Sequence, residues 1–336
     1  MKTYIISEVG PNHNGDLELA KKYVKHLSLI GVNAVKFQHG KPSHIYSNQS
    51  FFPKYQNKLK VKFLDPFKAA KQRLLYNKDH IELYKECKKN NIDYLCSAFD
   101  LSSIKFLNQN TNMKFFKIPS GEILSLDILE YIREFEKPII LSTGMATDDE
   151  IEFTINYLNY KKKKDITLLH CISAYPTKEK DINLVRMNYL RDKFKTKVGI
   201  SDHTVSSDVA SYSVFLGARV IEKHVTFNKN DIGPDHKMSL NIEEFAEMVK
   251  KIRRAELIYG SKKRKFKISE KNVKSASRKS ITAKKLIKKG EIITKSKICF
   301  KRPGIGISPI HLDKVVNKIA LKKIDKNDLI LIDYLK

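Results

Sequence analysis

His203 and His224 each close a short apolar run, VGISDHT and VIEKHVT, and each has an acidic neighbour, Asp202 and Glu222. Imidazoles at the ends of adjacent strands can converge on one divalent ion. Two protein ligands leave positions open for water, carboxylate or a substrate oxygen. That donor set suits a Lewis-acid ion better than a structural zinc. A second set has different chemistry: Lys36, Ser97, Lys117, Ser120, Ser142, Ser173 and Ser201 also end apolar runs. Ammonium and hydroxyl donors gathered on one rim suit an anion bearing phosphate or carboxylate. Glu8 and Glu122 place carboxylates on the same rim, as acceptors for sugar hydroxyls or, if burial raises their pKa, as a general base. A Schiff-base lysine at Lys36 or Lys117 is the competing chemistry, and the histidine pair favours the metal route. No phosphate-loop or dinucleotide glycine pattern follows a strand, which disfavours nucleotide chemistry.

Such groups need a scaffold that presents many strand ends together. Eight apolar segments supply them in order: TYIISE, NAVKFQ, DYLCSAF, FFKIPSGE, PIILSTG, ITLLHCISAY, VGISDHT and VIEKHVT. Gln38, Phe99, His170 and Tyr175 add further polar or aromatic groups at these ends. Helix-length stretches rich in Lys and Glu, such as LELAKKYVKHLSLIG and DHIELYKECKKNNI, lie between most of them. Strand and helix alternating in this way predict a parallel (β/α)8 barrel, whose active site sits at the carboxyl ends of the strands. The pattern runs through NIEEFAEMVKKIRRAELIYG and stops at Gly260, giving a barrel over 1–260. A basic segment poor in aliphatic residues, 261–279, reads as a linker. From Ser280 to the end, short β-like runs broken by turns predict a small β-rich module over 280–336. A core that small is marginal, so docking on a barrel, its own or a partner's, is expected. The connection from Gly40 to about Asn77 is long and carries Tyr46, Phe51, Phe52, Tyr55 and Phe63; such loops cover sites or form interfaces.

Composition narrows the function classes. An apolar fraction of 41% supports a packed core and argues against disorder. No apolar run approaches the roughly 20 residues of a membrane span, and no export leader precedes the first strand. Four scattered cysteines form no C-x-x-C pair, which points to reduced thiols and a cytoplasmic setting. The net charge of +27 invites a nucleic-acid reading. The lysines are dispersed, however, and no nucleic-acid motif is visible. Solvated faces and steering of acidic substrates account for the charge instead.

GPNHNGDLELA, VKFQ, KIPSGE, ILSTGMA, LLHC, SDHT, IEKHVT and GPDHKMSL occur in that order, followed by KRPGIGISP in the tail. Together they resemble the bacterial sialic acid synthase family, whose members make N-acetylneuraminate, legionaminate or pseudaminate, and the resemblance covers nearly the whole chain. It implies a (β/α)8 TIM barrel followed by an antifreeze-like SAF domain of the β-clip type, in a domain-swapped homodimer. It also implies condensation of phosphoenolpyruvate with the open-chain aldehyde of an N-acylated mannose-type sugar, with release of phosphate. The ion would be Mn²⁺, with Mg²⁺ or Co²⁺ as alternatives, polarising the aldehyde oxygen.

Carried over residue by residue, the resemblance makes His203 and His224 metal ligands. Lys36, Ser97, Ser120, Ser142, Ser173 and Ser201 would bind phosphoenolpyruvate, with Arg278 reaching its phosphate. Glu8, Gln38, Phe99, Glu122, Tyr175 and Asp235 would surround the sugar. Arg302 would reach the acylamino group in the partner's barrel.

There are departures. CSAF stands where STPF is usual, Ala174 where several sialate and legionaminate synthases carry Glu, and Asn317 where Gly is common. GPDHKMSL favours the sialate and legionaminate side over a pseudaminate synthase. Another metal-dependent phosphoenolpyruvate–aldose condensing enzyme is the nearest alternative. A non-catalytic sugar-phosphate-binding barrel is disfavoured because no rim ligand is missing.

Overall fold

The computed structural model describes residues 2–56, 65–160, 162–261, 263 and 266–336. Phe63, among the aromatic residues of the long connection, lies outside the described residues. The chain forms two compact units, 1–260 and 261–336.

In the first unit eight parallel strands close into a barrel. They are β1 (Tyr4–Glu8), β2 (Ala34–His39), β3 (Asp93–Ala98), β4 (Phe116–Ile118), β5 (Ile139–Ser142), β6 (Ile166–Cys171), β7 (Lys197–Asp202) and β8 (Val220–His224), with β8 pairing back onto β1. Helices cover the outer face, so the strands are buried on both sides and read as near-continuous apolar runs. Helix Leu17–Leu29 shows how the cover forms. The Asp16 side chain accepts from the Glu18 and Leu19 amides, and Ala20, Tyr23, Val24 and Leu27 make one buried stripe. The last barrel helix, Ile242–Tyr259, starts with an Asn241–Glu244 capping box and stops at Gly260, whose φ of 62° favours glycine.

Register decides which side chains share the rim. Glu8 pairs with Lys36 on one side and with His224 on the other. Gln38 pairs with Ser97, and Ser97 with Lys117. Cys171 pairs with Ser201, and Ser201 with Glu222. Gly199 is required where β7 meets β8, since a Cβ there would stand 2.1 Å from the Val220 carbonyl oxygen. Helices Pro42–Ile45 and Pro66–Gln72 and a 3-10 turn, Lys54–Gln56, belong to the long connection between β2 and β3.

The second unit has its own small core, in which Ile281, Ile287, Ile293, Val315, Ile324 and Ile330 meet. Strands β9 (Ser280–Ala283) and β10 (Ile298–Lys301) pair antiparallel. Single bridges such as Thr282–Leu329 and Ile287–Ile324 tie in the remaining turns. The segment read as a linker contains a helix, Lys271–Ser277, with exposed side chains. Asn317 takes the left-handed conformation, φ 65°, that a glycine would otherwise supply.

Candidate active site

Four charges lie at the floor of the barrel mouth, all nearly excluded from solvent. Lys36 Nζ is 2.7 Å from Glu8 Oε2 and 3.7 Å from Glu222 Oε2, and it donates to Ser97 Oγ at 3.1 Å. Lys117 Nζ donates to Ser142 Oγ at 2.8 Å and is 3.7 Å from Glu222 Oε1. Ser201 Oγ donates to the same Glu222 oxygen at 3.2 Å, and Gln38 donates to Glu8 Oε1 at 2.7 Å. Burial alone would raise the Glu222 carboxyl, but Lys117 and Lys36, then His224 and His203, override it and hold it down at about 2. The two lysines diverge for the same reason. Burial lowers Lys117 despite Glu222, whereas at Lys36 the combined pull of Glu222 and Glu8 outweighs burial and raises it. Two ammoniums neutralised by two carboxylates make a floor that can turn cationic donors toward an incoming polyanion.

The two histidines stand beside this floor. Their ring centroids are 5.3 Å apart with planes inclined at 64°. His203 Nδ1 lies 2.8 Å from the Ile172 carbonyl oxygen, which commits that nitrogen and leaves Nε2 as the free one. His224 Nδ1 is buried without a hydrogen bond, 3.3 Å from Asp235 Oδ2. Cys171 Sγ is 3.8 Å from His203 Nδ1. Burial lowers the His203 imidazole, but the Cys171 thiol more than offsets it and lifts His203 to about 9. In the thiol, burial works upward and His203 overrides it downward.

These residues fit one divalent ion. Two imidazoles bound to a common ion at about 2.1 Å place their ring centroids roughly 4.6–5.3 Å apart. Among the described residues no group of three or more His, Cys, Asp or Glu forms a ready cage. A shell built on His203 and His224 therefore depends on water or substrate oxygens. Behind them Lys223, fully buried, donates to Asp202 Oδ2 at 2.7 Å and to Thr204 Oγ1 at 3.2 Å. That bond joins the exits of β7 and β8, the two strands that carry the histidines.

A cavity of about 480 Å³ rises from the floor. Lys36, Ser97, Lys117, Ser120, Ser142, Ser173, Ser201, His203 and His224 line it, as do Glu8, Gln38, Phe99, Tyr175 and Asp235. Tyr55, from the long β2–β3 connection, stacks on Tyr175 at 4.9 Å, and Tyr175 lies 4.3 Å from the His203 ring. The connection also contributes Tyr46 and Arg73.

One expected residue falls elsewhere. β4 stops at Ile118 and residues Ser120–Glu122 wind into a 3-10 turn, which carries Glu122 past the rim. Glu122 accepts from the Ser125 hydroxyl and lines a neighbouring hollow with His44, Asp100 and Asp127. Burial raises its carboxyl, with Ser125 opposing. In this structure the second carboxylate of the floor is Glu222, not Glu122. Alternation along VIEKH puts Glu222 on the same face as His224, a signal the sequence did carry. Arg278 and Arg302 belong to the second unit. There the backbone of Gly304 abuts Arg278, both arginines are exposed, and neither makes a side-chain bond among the described residues.

A closed barrel with lysine and serine donors at its strand ends, beside two convergent histidines, defines a barrel-enzyme site built for a small anion. The chain belongs to the NeuB family, whose profile matches residues 23–264, and a SAF domain follows at residues 278–336. It is 43% identical over 331 residues to the N,N'-diacetyllegionaminic acid synthase of Campylobacter jejuni, covering 98% of this chain and 99% of that protein. A pseudaminic acid synthase of the same species is 33% identical over 331 residues, covering 97% and 95%. The crystal structure of the N-acetylneuraminic acid synthetase of Leptospira borgpetersenii, in complex with citrate, superposes with a TM-score of 0.72 at 30% identity. It covers 81% of this chain and 90% of its own. The protein is thus an enzyme, a phosphoenolpyruvate-dependent condensing transferase of the sialic acid synthase type.

Proposed function

We propose that this enzyme joins phosphoenolpyruvate to a di-N-acetylated, mannose-type aldose, forming N,N'-diacetyllegionaminate and phosphate. The observation that carries the reading is the floor. Lys36 and Lys117, each bonded to a strand-end serine and both facing Glu222, lie beneath His203 and His224. The lysines and Ser97, Ser120, Ser142, Ser173 and Ser201 hold the phosphate and carboxylate of phosphoenolpyruvate. Gln38, Phe99, Tyr175 and Asp235 surround the sugar. The similarity to the Campylobacter jejuni synthase supports the choice of sugar.

His203 and His224 would hold the divalent ion, Mn²⁺ before Mg²⁺ or Co²⁺. When bound, it supplies Lewis-acid polarisation of the aldehyde oxygen, commonly worth several kcal/mol. The remaining steps fall to the chain and its substrates. C3 of phosphoenolpyruvate bonds to the aldehyde carbon, and the aldehyde oxygen takes a proton to become a hydroxyl. Water adds to the cationic C2 and gives up a proton, and the C2–O bond then breaks to release phosphate. Glu8, held by Gln38 and Lys36, would be the carboxylate that takes the proton from water. Glu222, held at about 2 between two ammoniums, is a poor base.

Arg278 and Arg302 would complete the site of a second copy in a domain-swapped homodimer, a reading supported by their exposure and lack of partners. Four free cysteines suit a cytoplasmic enzyme, and among the described residues no helix is long and apolar enough to cross a membrane. Phosphate release with phosphoenolpyruvate and a panel of N-acylated mannose-type sugars tests the proposal. The di-N-acetylated aldose is expected to give the highest kcat/KM. Absence of phosphate release with every N-acyl sugar would refute it.

A further inference from the structure

One cation in the cavity is not part of the floor. Arg73 caps helix Pro66–Gln72 in the β2–β3 connection, and its side chain lines the cavity. Its Nε is buried without a hydrogen-bond partner, and among the described residues it has no ion pair. Residues 57–64, NKLKVKFL, contain no acidic side chain that could supply one. An Nε–H buried without a partner is costly, because desolvation of a donor is not repaid.

The surroundings of Arg73 say what would relieve it. Burial works against its charge, and Asp235, then Tyr46 and Tyr55, oppose that effect; the floor lysines and glutamates do not contribute. Asp235 in turn lies 3.3 Å from His224 Nδ1. Arg73 lines the cavity from the β2–β3 connection, with Tyr46 and Tyr55, whereas the histidines enter from the strand ends, so it faces the part of the sugar away from the reacting aldehyde. A dianionic group placed there would meet the Asp235 carboxylate. A neutral carbonyl would not, and its two lone pairs match the forked N–H donors of a guanidinium.

We propose that Arg73 is a specificity-determining residue that donates to the carbonyl of the acylamino group remote from the aldehyde. That group is what distinguishes a di-N-acylated aldose from a mono-N-acylated one. The assignment rests on the reaction proposed above. It gives a physical basis for discrimination: a sugar lacking the second carbonyl leaves a buried donor unpaired, which polar sites reject far more strongly than a missing methylene.

The test uses the full-length enzyme and the variants Arg73→Met and Arg73→Lys. Steady-state kinetics are measured with three sugars: the di-N-acetylated aldose, N-acetylmannosamine and the terminal phosphate ester of N-acetylmannosamine. In Arg73→Met, kcat/KM for the di-N-acetylated sugar is expected to fall by about ten- to a hundredfold, carried by KM. The KM for phosphoenolpyruvate should hold, and kcat/KM for N-acetylmannosamine, which no longer strands a donor, should stay level or rise, narrowing the ratio between the two sugars. Arg73→Lys, with one charge and no fork, should fall between, and it carries the same comparison if the methionine variant does not fold. Equal losses on both acylated sugars, or a raised KM for phosphoenolpyruvate, would overturn the assignment. Preference of the wild type for the phosphate ester, lost in Arg73→Met, would make Arg73 an anion site instead. A wild type that turns over no N-acyl sugar removes the parent reaction as well, an outcome distinct from an unchanged ratio between sugars.

Discussion

Replacing Lys36 with methionine keeps the apolar stem and removes the ammonium, and the structure separates the two effects this should have. The first is on stability. Lys36 Nζ is 2.7 Å from Glu8 Oε2 and 3.7 Å from Glu222 Oε2, all at side chains no more than 5% exposed. Removing one partner from a buried pair strands the other and costs about 3–5 kcal/mol. For a barrel of this size that lowers Tm by roughly 6–20 °C. Glu222 still has Lys117 at 3.7 Å, so the stranded charge is Glu8. Adding Glu8→Gln removes that charge and should recover most of the lost Tm. The second effect is on binding. A charge-assisted hydrogen bond of about 1.5–3 kcal/mol corresponds to roughly a ten- to hundredfold weaker Kd for phosphoenolpyruvate. The added Glu8→Gln should leave that deficit in place. Calorimetric titration of phosphoenolpyruvate reads binding without turnover, and thermal unfolding reads stability. Wild-type Kd in the single variant, or a double variant no more stable than the single one, would refute this account of the floor.

Other perturbations probe separate parts of the molecule. His203→Ala or His224→Ala should abolish turnover with circular dichroism unchanged, and chelator-treated wild type should regain activity with Mn²⁺ or Co²⁺; full activity in a metal-stripped sample rules out the ion. His13 and His80 are buried imidazoles. Burial lowers His13 from 6.5 to about 4, with Arg73 adding to the shift, and burial lowers His80 well below 6.5, with His39 adding. Folded pKa values below the unfolded ones mean that the unfolded chain takes up protons first. Each histidine therefore removes stability as pH falls below 6.5, at up to about 1.4 kcal/mol per pH unit. Urea midpoints should drop between pH 6.5 and 4, and His80→Gln should flatten that drop; identical pH profiles for wild type and variant would contradict it. If Arg302 serves the partner's barrel, mixing Arg302→Ala chains with His203→Ala chains should restore activity toward about a quarter of wild type once subunits exchange. Confirmed mixed dimers without activity would place Arg302 outside the partner's site.

The barrel was legible because each strand is buried on both faces and ends in a polar group. Apolar run, polar terminus and amphipathic helix recur along the chain, and the closed sheet follows that count. Lys36, Lys117 and His224 lie on their strands and His203 one residue past β7, so their directions follow from the pleat and the register. Glu122 lies beyond its strand, in a 3-10 turn whose winding no side-chain period announces. Arg73 carried no signal at all. It caps a short helix inside a long connection, and only the packed chain brings it to the cavity. The helix Lys271–Ser277 was hidden by a run of lysines with no apolar stripe to mark a buried face.

Exposure across the site is stepped. Ser97, Lys36, Lys117, Ser142 and Ser201 at the floor are 0–3% exposed, whereas Tyr55 above them is 42% exposed and Met145 at the lip 72%. A blind well with its anion donors at the bottom imposes a sequence of events. On the proposed reaction, phosphoenolpyruvate is expected to bind before the sugar, because its donors lie below Tyr175 and Asp235. Phosphate, released at the floor on that reading, is expected to leave after the sugar acid above it. The expected kinetics are those of an ordered mechanism, with inorganic phosphate competing against phosphoenolpyruvate and not against the sugar; product-inhibition patterns check this, and phosphate competing with the sugar would refute it. A cell holding the enzyme at high phosphate would thus throttle it through its first substrate.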